Sequence, residues 1–342
     1  MFNCSRVVLV FCLGLSLVHP SAQAGMYVFG DSLSDAGNVF ASSSADPNLI
    51  ADPIVPPYYQ GRMSNGANWT DQLADRLGVS RPNASLGGGT NYAWAGATSG
   101  SGQTLRTSLL IPGQKQYVDN VGQQIQTFSN SHPGGFAADA LVIDWSGSND
   151  FLYSTLGVLR GQTTEAIAAR GILSHTKTNL LALEALGART ILLPNQIDAA
   201  DTPIWSGRYG LPAAGQPVLR TMTAIFNAGL LALIAELEVM QDFDANIVYV
   251  DMYGTARNLI ANPGDHGLRN VTDPAFPNHI PDATDYLFWD PIHPTTTGHR
   301  FIAEAAYAAL VPEPATGLLL LTGLGLADWM TRRNRQVRAL RS

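Results

Sequence analysis

Short apolar runs alternate along the chain with longer stretches whose apolar residues recur every three or four positions. Residues 26–29, 140–145, 190–193 and 247–250 are mostly apolar runs of strand length, the pattern of strands buried on both faces. Residues 165–186 and 217–240 carry the helical period instead, and a further helical pattern runs from about 297 to 310. Strands alternating with helices predict a mainly parallel sheet covered on both faces, hence a three-layer α/β/α domain. In such sheets ligands bind beyond the carboxyl ends of the strands. The Gly-, Pro-, Ser- and Asn-rich stretches 41–68 and 262–285 predict long loops, and loops on that rim commonly build the site.

The two ends read differently. Residues 1–24 open with Arg6, continue through the apolar run 7–18 and finish at Ala22-Gln23-Ala24, the small-x-small form of a signal-peptidase site, so the mature chain is expected to begin near Gly25. Cys4 and Cys12 both lie in that leader, which leaves the exported chain without a disulfide or a thiolate metal site. With 46% hydrophobic and 14% charged residues in the 342-residue chain, the composition suits one globular domain, placed between 25 and 310. From residue 25 to 327 there are 14 Lys and Arg against 26 Asp and Glu, and so acidic a surface repels nucleic acid and anionic bilayers. Beyond 310, Val311-Pro312-Glu313-Pro314-Ala315-Thr316 leads into an apolar run, 315–327, and then Arg332, Arg333, Arg335, Arg338 and Arg341. An apolar run with a basic flank obeys the positive-inside rule, yet this one is shorter than the ~20 residues that span a bilayer comfortably.

Candidate chemistry sits at the strand ends. The first run closes in Phe29-Gly30-Asp31-Ser32-Leu33-Ser34-Asp35, where Gly30 permits a tight turn and Ser32 stands at the rim before a helix. A lone Asp-Ser also suits a helix cap. Near the other end stands Trp289-Asp290-Pro291-Ile292-His293-Pro294. A hydroxyl is a poor nucleophile until a base takes its proton, and the base works best when a carboxylate fixes its tautomer. One turn can bring Asp290 and His293 together, although Asp-x-x-His also makes capping turns. His19, His132, His175, His266 and His279 lack such a carboxylate arrangement, and His299, in a helical context, is expected to pack or cap. Two further segments offer oxyanion donors: Asn91-Tyr92-Ala93-Trp94-Ala95-Gly96-Ala97, through the Gly96 N–H, and Gly147-Ser148-Asn149-Asp150, through Asn149. Such donors contribute roughly 2.7 to 4 kcal/mol each in acyl transfer, though either segment alone reads as a turn.

In order, the four segments resemble the GDSL/SGNH hydrolases, in the branch whose first block reads Phe-Gly-Asp-Ser-Leu-Ser-Asp-x-Gly-Asn, matched from Phe29 to Asn38. The resemblance covers about 26–310. It implies a flavodoxin-like sheet and metal- and cofactor-independent hydrolysis of carboxylic esters of lipids, of aryl esters, or of acetylated glycans. By position it makes Ser32 the nucleophile, His293 the base and Asp290 its orienting acid, with Ser32, Gly96 and Asn149 as oxyanion donors. Tyr59-Gln60-Gly61-Arg62-Met63-Ser64-Asn65-Gly66 also looks like a family segment, with Met63 where Phe is common, and Ala95 stands where a second glycine is frequent. No Gly-x-Ser-x-Gly elbow, His-Glu-x-x-His pair, phosphate-binding Gly-Lys-Ser/Thr loop or dinucleotide glycine pattern competes. The 311–342 segment resembles the PEP-CTERM sorting signal of Gram-negative bacteria, implying an exosortase-type processing partner, transient membrane association and a secreted or cell-surface destination. An acyltransferase using the same acyl-enzyme and a non-catalytic glycan-binding surface module fit the same pattern; product analysis with added alcohol separates the first from hydrolysis. The sorting reading predicts that mass spectrometry of exported protein from an exosortase-bearing Gram-negative host finds C-termini upstream of Ser342. Intact Ser342 on all exported material would instead identify an unprocessed anchor.

Overall fold

The computed structural model describes residues 25–278, 280 and 282–312, so the expected leader, the apolar run and its arginines, and His279 lie outside the described residues. In chain order the strands are β1 (Met26–Gly30), β2 (Gln103–Thr107), β3 (Lys115–Asp119), β4 (Leu141–Trp145), β5 (Thr190–Pro194), β6 (Asn246–Val250), β7 (Asn270–Pro274) and β8 (Tyr286–Phe288). The helices are α1 (Asn38–Ala45), α2 (Trp69–Leu77), α3 (Val121–Ser131), α4 (Ser148–Leu159), α5 (Glu165–Ala185), α6 (Gly215–Glu238), α7 (Met252–Ala261) and α8 (Thr296–Leu310). The four apolar runs become β1, β4, β5 and β6 and pair in parallel in that order, with Met26 opposite Leu141, Ile143 opposite Leu192 and Ile191 opposite Ile247. On the free edge of β1, Val28 bridges Asn91 in parallel: its N–H donates to Thr90 O, and Tyr92 N–H donates to its carbonyl. The sheet itself has four strands in the order β1-β4-β5-β6, and this bridge lies where flavodoxin-like domains carry a further strand beside the first.

Alternation along the strands builds two cores. Phe29, Val142, Ile191 and Leu193 face α3, α4, α5 and α6, where Phe128, Phe151, Leu180 and Phe226 are buried. Met26, Val28, Leu141, Ile143 and Leu192 face the other way, against Trp69 and Leu73 of α2 and Ile302, Ala303 and Ala306 of α8. Helices therefore cover both faces, and the domain is a three-layer α/β/α structure.

Two stretches expected to be loops contain regular structure. Helix α1 runs into the first despite its serines, and within it Ser43 is buried with its Oγ donating back to Val39 O. The second holds a short 3₁₀ turn, Pro263–His266, and β7, whose pairing with β8 is interrupted by a bulge. Ser32 lies in a turn, and the next helix, α1, starts only at Asn38. Nor does apolar periodicity announce the β2–β3 hairpin, where Arg106 alone of β2 is buried.

The Tyr59-to-Gly66 segment ties the first block of the chain to the last. Arg62 is buried and grips Asp71 bidentately, at 2.6 and 2.9 Å, while its remaining nitrogen reaches the carbonyls of Ala36 and Gln60. Asp71 also completes a capping box with Asn68 at the start of α2. Farther along the segment, Ser64 Oγ donates to Pro294 O, and Asn65 Oδ1 accepts from Thr296 N. Gly66 sits so close to Thr296 that a Cβ there would collide with it. Removing one partner of a buried pair strands the other charge, so Arg62→Ala is expected to destabilise the protein by about 3–5 kcal/mol. Arg76→Ala, which breaks the half-exposed pair with Glu304, is expected to lose about 0–1 kcal/mol. Urea denaturation of both variants checks this, and equal small losses would show that the clamp is not a stabilising constraint.

Candidate active site

From Phe29 to Val39 every residue is buried except Ser32. The turn is held from all sides. Gln124 of α3 accepts from Gly30 N and donates to Gly30 O, both at 2.9 Å, like a one-residue strand partner. Gly30 has φ 154°, and a Cβ there would strike the Trp145 carbonyl, so only glycine brings β1 this close to β4. Asn38 donates to the carbonyls of Asn91 and Ala93, and Asn91 and Asn68 both donate to Ser34 O. Ser34 is fully buried and its hydroxyl accepts from Trp69 Nε1, so the second serine of the block is a packing residue while Ser32 is presented.

At the other end of the described chain, Trp289 N–H closes a turn onto His293 O. Inside that turn His293 Nδ1 lies 2.7 Å from Asp290 Oδ2, and the backbone N–H groups of Ile292 and His293 both donate to Oδ1 at 2.8 Å. The second ligand on Oδ2 is Tyr58, whose hydroxyl donates at 2.8 Å. Burial pushes Asp290 toward the neutral acid, but the His293 charge and these hydrogen bonds outweigh it and hold the carboxyl below its ordinary value. A carboxylate only accepts, so Nδ1 is the donor and neutral imidazole keeps Nε2 as an acceptor. Burial and the Asp290 charge raise the Tyr58 phenol far above its ordinary range, so it remains a donor. His299 is almost fully buried, and burial followed by the His293 charge lowers it to about 3. It is a neutral packing residue that does not reach the cavity.

Ser32, Gly96, Asn149 and His293 line one cavity of about 330 Å³. Among the described residues the N–H groups of Ser32 and Gly96, beside the cavity, have no hydrogen-bond partner and are free to receive an outside acceptor. Asp35 aims the second of them: its carboxylate accepts from Gly37, Asn38 and Val39 in its own block and from Ala95 across the gap. Gly96 has φ 92°, and a Cβ would run into the Arg106 side chain, whose guanidinium is held by buried Asp52. Asn149 donates one amide hydrogen to Ala97 O at 2.9 Å, which leaves the other available. Next to it, Asp150 accepts from both N and Oγ of Ser99, pinning the start of α4 to the Gly96 loop.

The five residues picked out at the strand ends are thus assembled at one place, with Asp290 behind His293. Tyr58 went unmarked because it precedes the Tyr59-to-Gly66 block by one residue and shares no spacing with Asp290; only the folded chain brings them together. Beneath Ser32 lie two further acids. Burial raises Asp31 to about 6, opposed by the Leu33 N–H, the Ser148 hydroxyl and the His293 charge, with the Asp150 charge adding to the rise. Asp144, opposite Phe29 on β4, is pushed up to about 7 by burial and by the Asp31 charge. The nearby Ser146 hydroxyl opposes that rise without a well-aligned hydrogen bond. Among the described residues no three His, Cys, Asp or Glu side chains group as metal ligands.

Comparison with known proteins follows the same residues. A family model described as GDSL-like Lipase/Acylhydrolase matches residues 26–306. A GDSL esterase/lipase of Arabidopsis thaliana is 30% identical over 340 residues, covering 89% of this chain and 93% of its own. A second one from the same plant is 28% identical and covers 82% of this chain and 88% of its own. Among solved structures, the native aryl esterase of M. smegmatis superposes over 84% of this chain and 97% of its own with a TM-score of 0.43 and 16% identity.

The buried acids make stability depend on pH. A carboxyl whose folded value is raised from an unfolded value near 3.9 favours the fold at low pH, and that contribution is lost as pH rises through the folded value. For Asp144 the loss runs from about pH 4 to about pH 7. Asp144→Asn cannot ionise, so thermal denaturation at pH 5 and pH 8 is expected to find the variant gaining on the wild type at the higher pH. A gap that stays constant, or moves the other way, would mean that Asp144 is ionised throughout.

Proposed function

The chain belongs to the GDSL-like lipase/acylhydrolase family and is a carboxylic ester hydrolase; from that premise we propose that it works through an acyl-enzyme on Ser32, with His293 as general base and Asp290 orienting it. Ser32 Oγ attacks the ester carbonyl carbon while its proton passes to His293 Nε2. The negative charge moves to the carbonyl oxygen, which the N–H groups of Ser32 and Gly96 and the Asn149 amide receive. Collapse of the tetrahedral species breaks the bond to the alcohol, which leaves with the proton from Nε2. Water then repeats the sequence on the acyl-enzyme, and His293 again takes and returns the proton. Tyr58 shares the Asp290 oxygen that holds Nδ1 and is a positioning residue.

The observation that carries this reading is the isolation of Ser32 as the one accessible residue of a buried block, facing the cavity that His293 lines. The unpaired donors at the same cavity support acyl transfer over a glycan-binding role, since a binding surface has no use for backbone amides converging beside a serine. On the same reading residues 1–24 export the protein, and an exosortase-type enzyme processes 311–342 for release or surface display. The residue pattern of the two ends supports that address.

Ser32→Ala is expected to abolish both hydrolysis of p-nitrophenyl acetate and labelling by a fluorophosphonate, with the circular dichroism spectrum unchanged. Ser34→Ala keeps its label. His293→Ala is expected to be near dead and His299→Ala active, while Asp290→Asn loses up to about 10⁴ in kcat by releasing the imidazole from its tautomer. Tyr58→Phe, which removes one charge-assisted hydrogen bond of at least ~1.5 kcal/mol, is expected to lose about tenfold in kcat with KM little changed. Labelling that survives in Ser32→Ala, or a live His293→Ala beside a dead His299→Ala, would reassign the nucleophile or the base.

A further inference from the structure

Two hollows meet at Ser32, and they differ in size and in what reaches them. The larger, of about 330 Å³, is lined by His293 and Gly96 and widens outward between Leu105 and Leu109, both exposed. The smaller, of about 60 Å³, runs from Ser32 inward past Phe151, Ile197 and Ala199 to Trp205, and neither His293 nor Gly96 lines it. Ser32, Asn149, Leu152, Ile204 and Ile292 form the divide between them.

In acyl transfer these hollows are not interchangeable. The leaving alcohol oxygen must receive the proton from His293 Nε2, so the alcohol occupies the space that His293 lines. With the oxyanion held by Ser32, Gly96 and Asn149, the acyl chain is left to point away from His293. We propose that the small inner chamber is the acyl site and the large outer cavity the alcohol site, which makes the protein an esterase for short acyl groups carried on bulky apolar alcohols. This assignment rests on the Ser32–His293 reading of the site.

The chamber limits the acyl chain because its wall does not yield. Trp205 is buried at the end of the hollow, and Gly215 lies so near that a Cβ there would meet the indole ring. Ile204 N donates to Pro291 O at 2.8 Å, tying the divide to the turn that carries His293. The polar groups of the chamber are engaged elsewhere: Thr202 Oγ1 with Ala199 O, and Gln196 Nε2 with Ser146 O. Apart from Ser32, Ser148 and Asn149, the lining that remains is apolar. A cavity of roughly 150 Å³ holds a benzene ring, so 60 Å³ accepts an acyl chain of about two to four carbons. The larger cavity, lined by leucines and tyrosines, among them Tyr153 and Tyr209, has the room for an aryl or long alkyl alcohol.

Two substrate series on the full-length protein test the assignment. With p-nitrophenol as the common alcohol, kcat/KM is expected to fall by about tenfold or more between butyrate and octanoate, since each methylene beyond the chamber must displace packed atoms. With acetate as the common acyl group, kcat/KM is expected to hold or rise from methyl through hexyl to naphthyl esters. Ile197→Ala, which lengthens only the small chamber, is expected to raise the octanoate-to-acetate ratio, and Leu109→Trp to reorder the acetate series while leaving the acyl series in place. A wild type that prefers octanoate to acetate, or that loses activity as the alcohol grows, would overturn the assignment even if neither variant folds. Loss of the catalytic reading looks different: fluorophosphonate would fail to label Ser32, and no ester of either series would turn over through it.

Discussion

The buried pair between Arg62 and Asp71 is the constraint on which the site depends, because it locks a connecting segment onto two parts of the chain that are remote in sequence. Arg62 holds α2 through Asp71 and the Ser32 block through Ala36 O. A few residues later, Ser64 and Asn65 hold the turn that carries His293. A guanidinium suits this place because its planar fork donates bidentately to the carboxylate and still has a nitrogen for carbonyls, so a buried charge is surrounded by acceptors. Lysine could not reach all three. The packing of α2 on α8 adds apolar contact to the same join, with Trp69 and Leu73 against Ile302 and Ala306.

Around Ser32 the physical problem is to expose one hydroxyl on a chain that is otherwise inside. Burial of the neighbouring residues removes the local freedom that would blur its position, and the segments bearing Asn68, Asn91 and Ala95 donate to Ser34 O and to the Asp35 carboxylate. The same hydrogen bonds that fix the serine also place Gly96, since Asp35 spans from one segment to the other. Ser32 and Gly96 are thus held as one unit, whereas His293 arrives from the far end of the chain on a separately closed turn. Preorganised donors are effective because they need no rearrangement as charge develops on the carbonyl oxygen.

The acids near the site divide into two kinds by environment. Asp290 is buried but receives four donors and stays ionised, as the partner of an imidazolium must be. Asp31 and Asp144 are equally buried with fewer donors, and burial raises both toward neutrality, with the Asp150 charge adding to the rise at Asp31 and the Asp31 charge to that at Asp144. Burial, the larger cause at both, thereby restricts how much negative charge can collect beside Ser32. The sequence shows three aspartates of one type; donors and burial separate them.

Much of the fold was legible in the pattern of apolar residues. The four central strands fall within a residue or two of the apolar runs, and α5, α6 and α8 follow the helical periods, because a strand or helix that is buried along its length must be apolar at the buried positions. The Ser32 turn, the Asp290-to-His293 turn and the Gly96 and Asn149 segments could be picked out as well, since each sits at a strand end or in a short local motif. What the sequence could not determine was carried by contacts between distant segments. The hydroxyl of Tyr58 on Asp290, the grip of Arg62 and the edge bridge at Asn91 leave no local periodicity. The β2–β3 hairpin and β7 are short and mostly polar outside, so hydrophobic alternation does not reveal them. Above all, the sizes of the two hollows at Ser32 come from side chains of several elements meeting in space, and only tertiary structure decides how much room they leave for an acyl chain and for an alcohol.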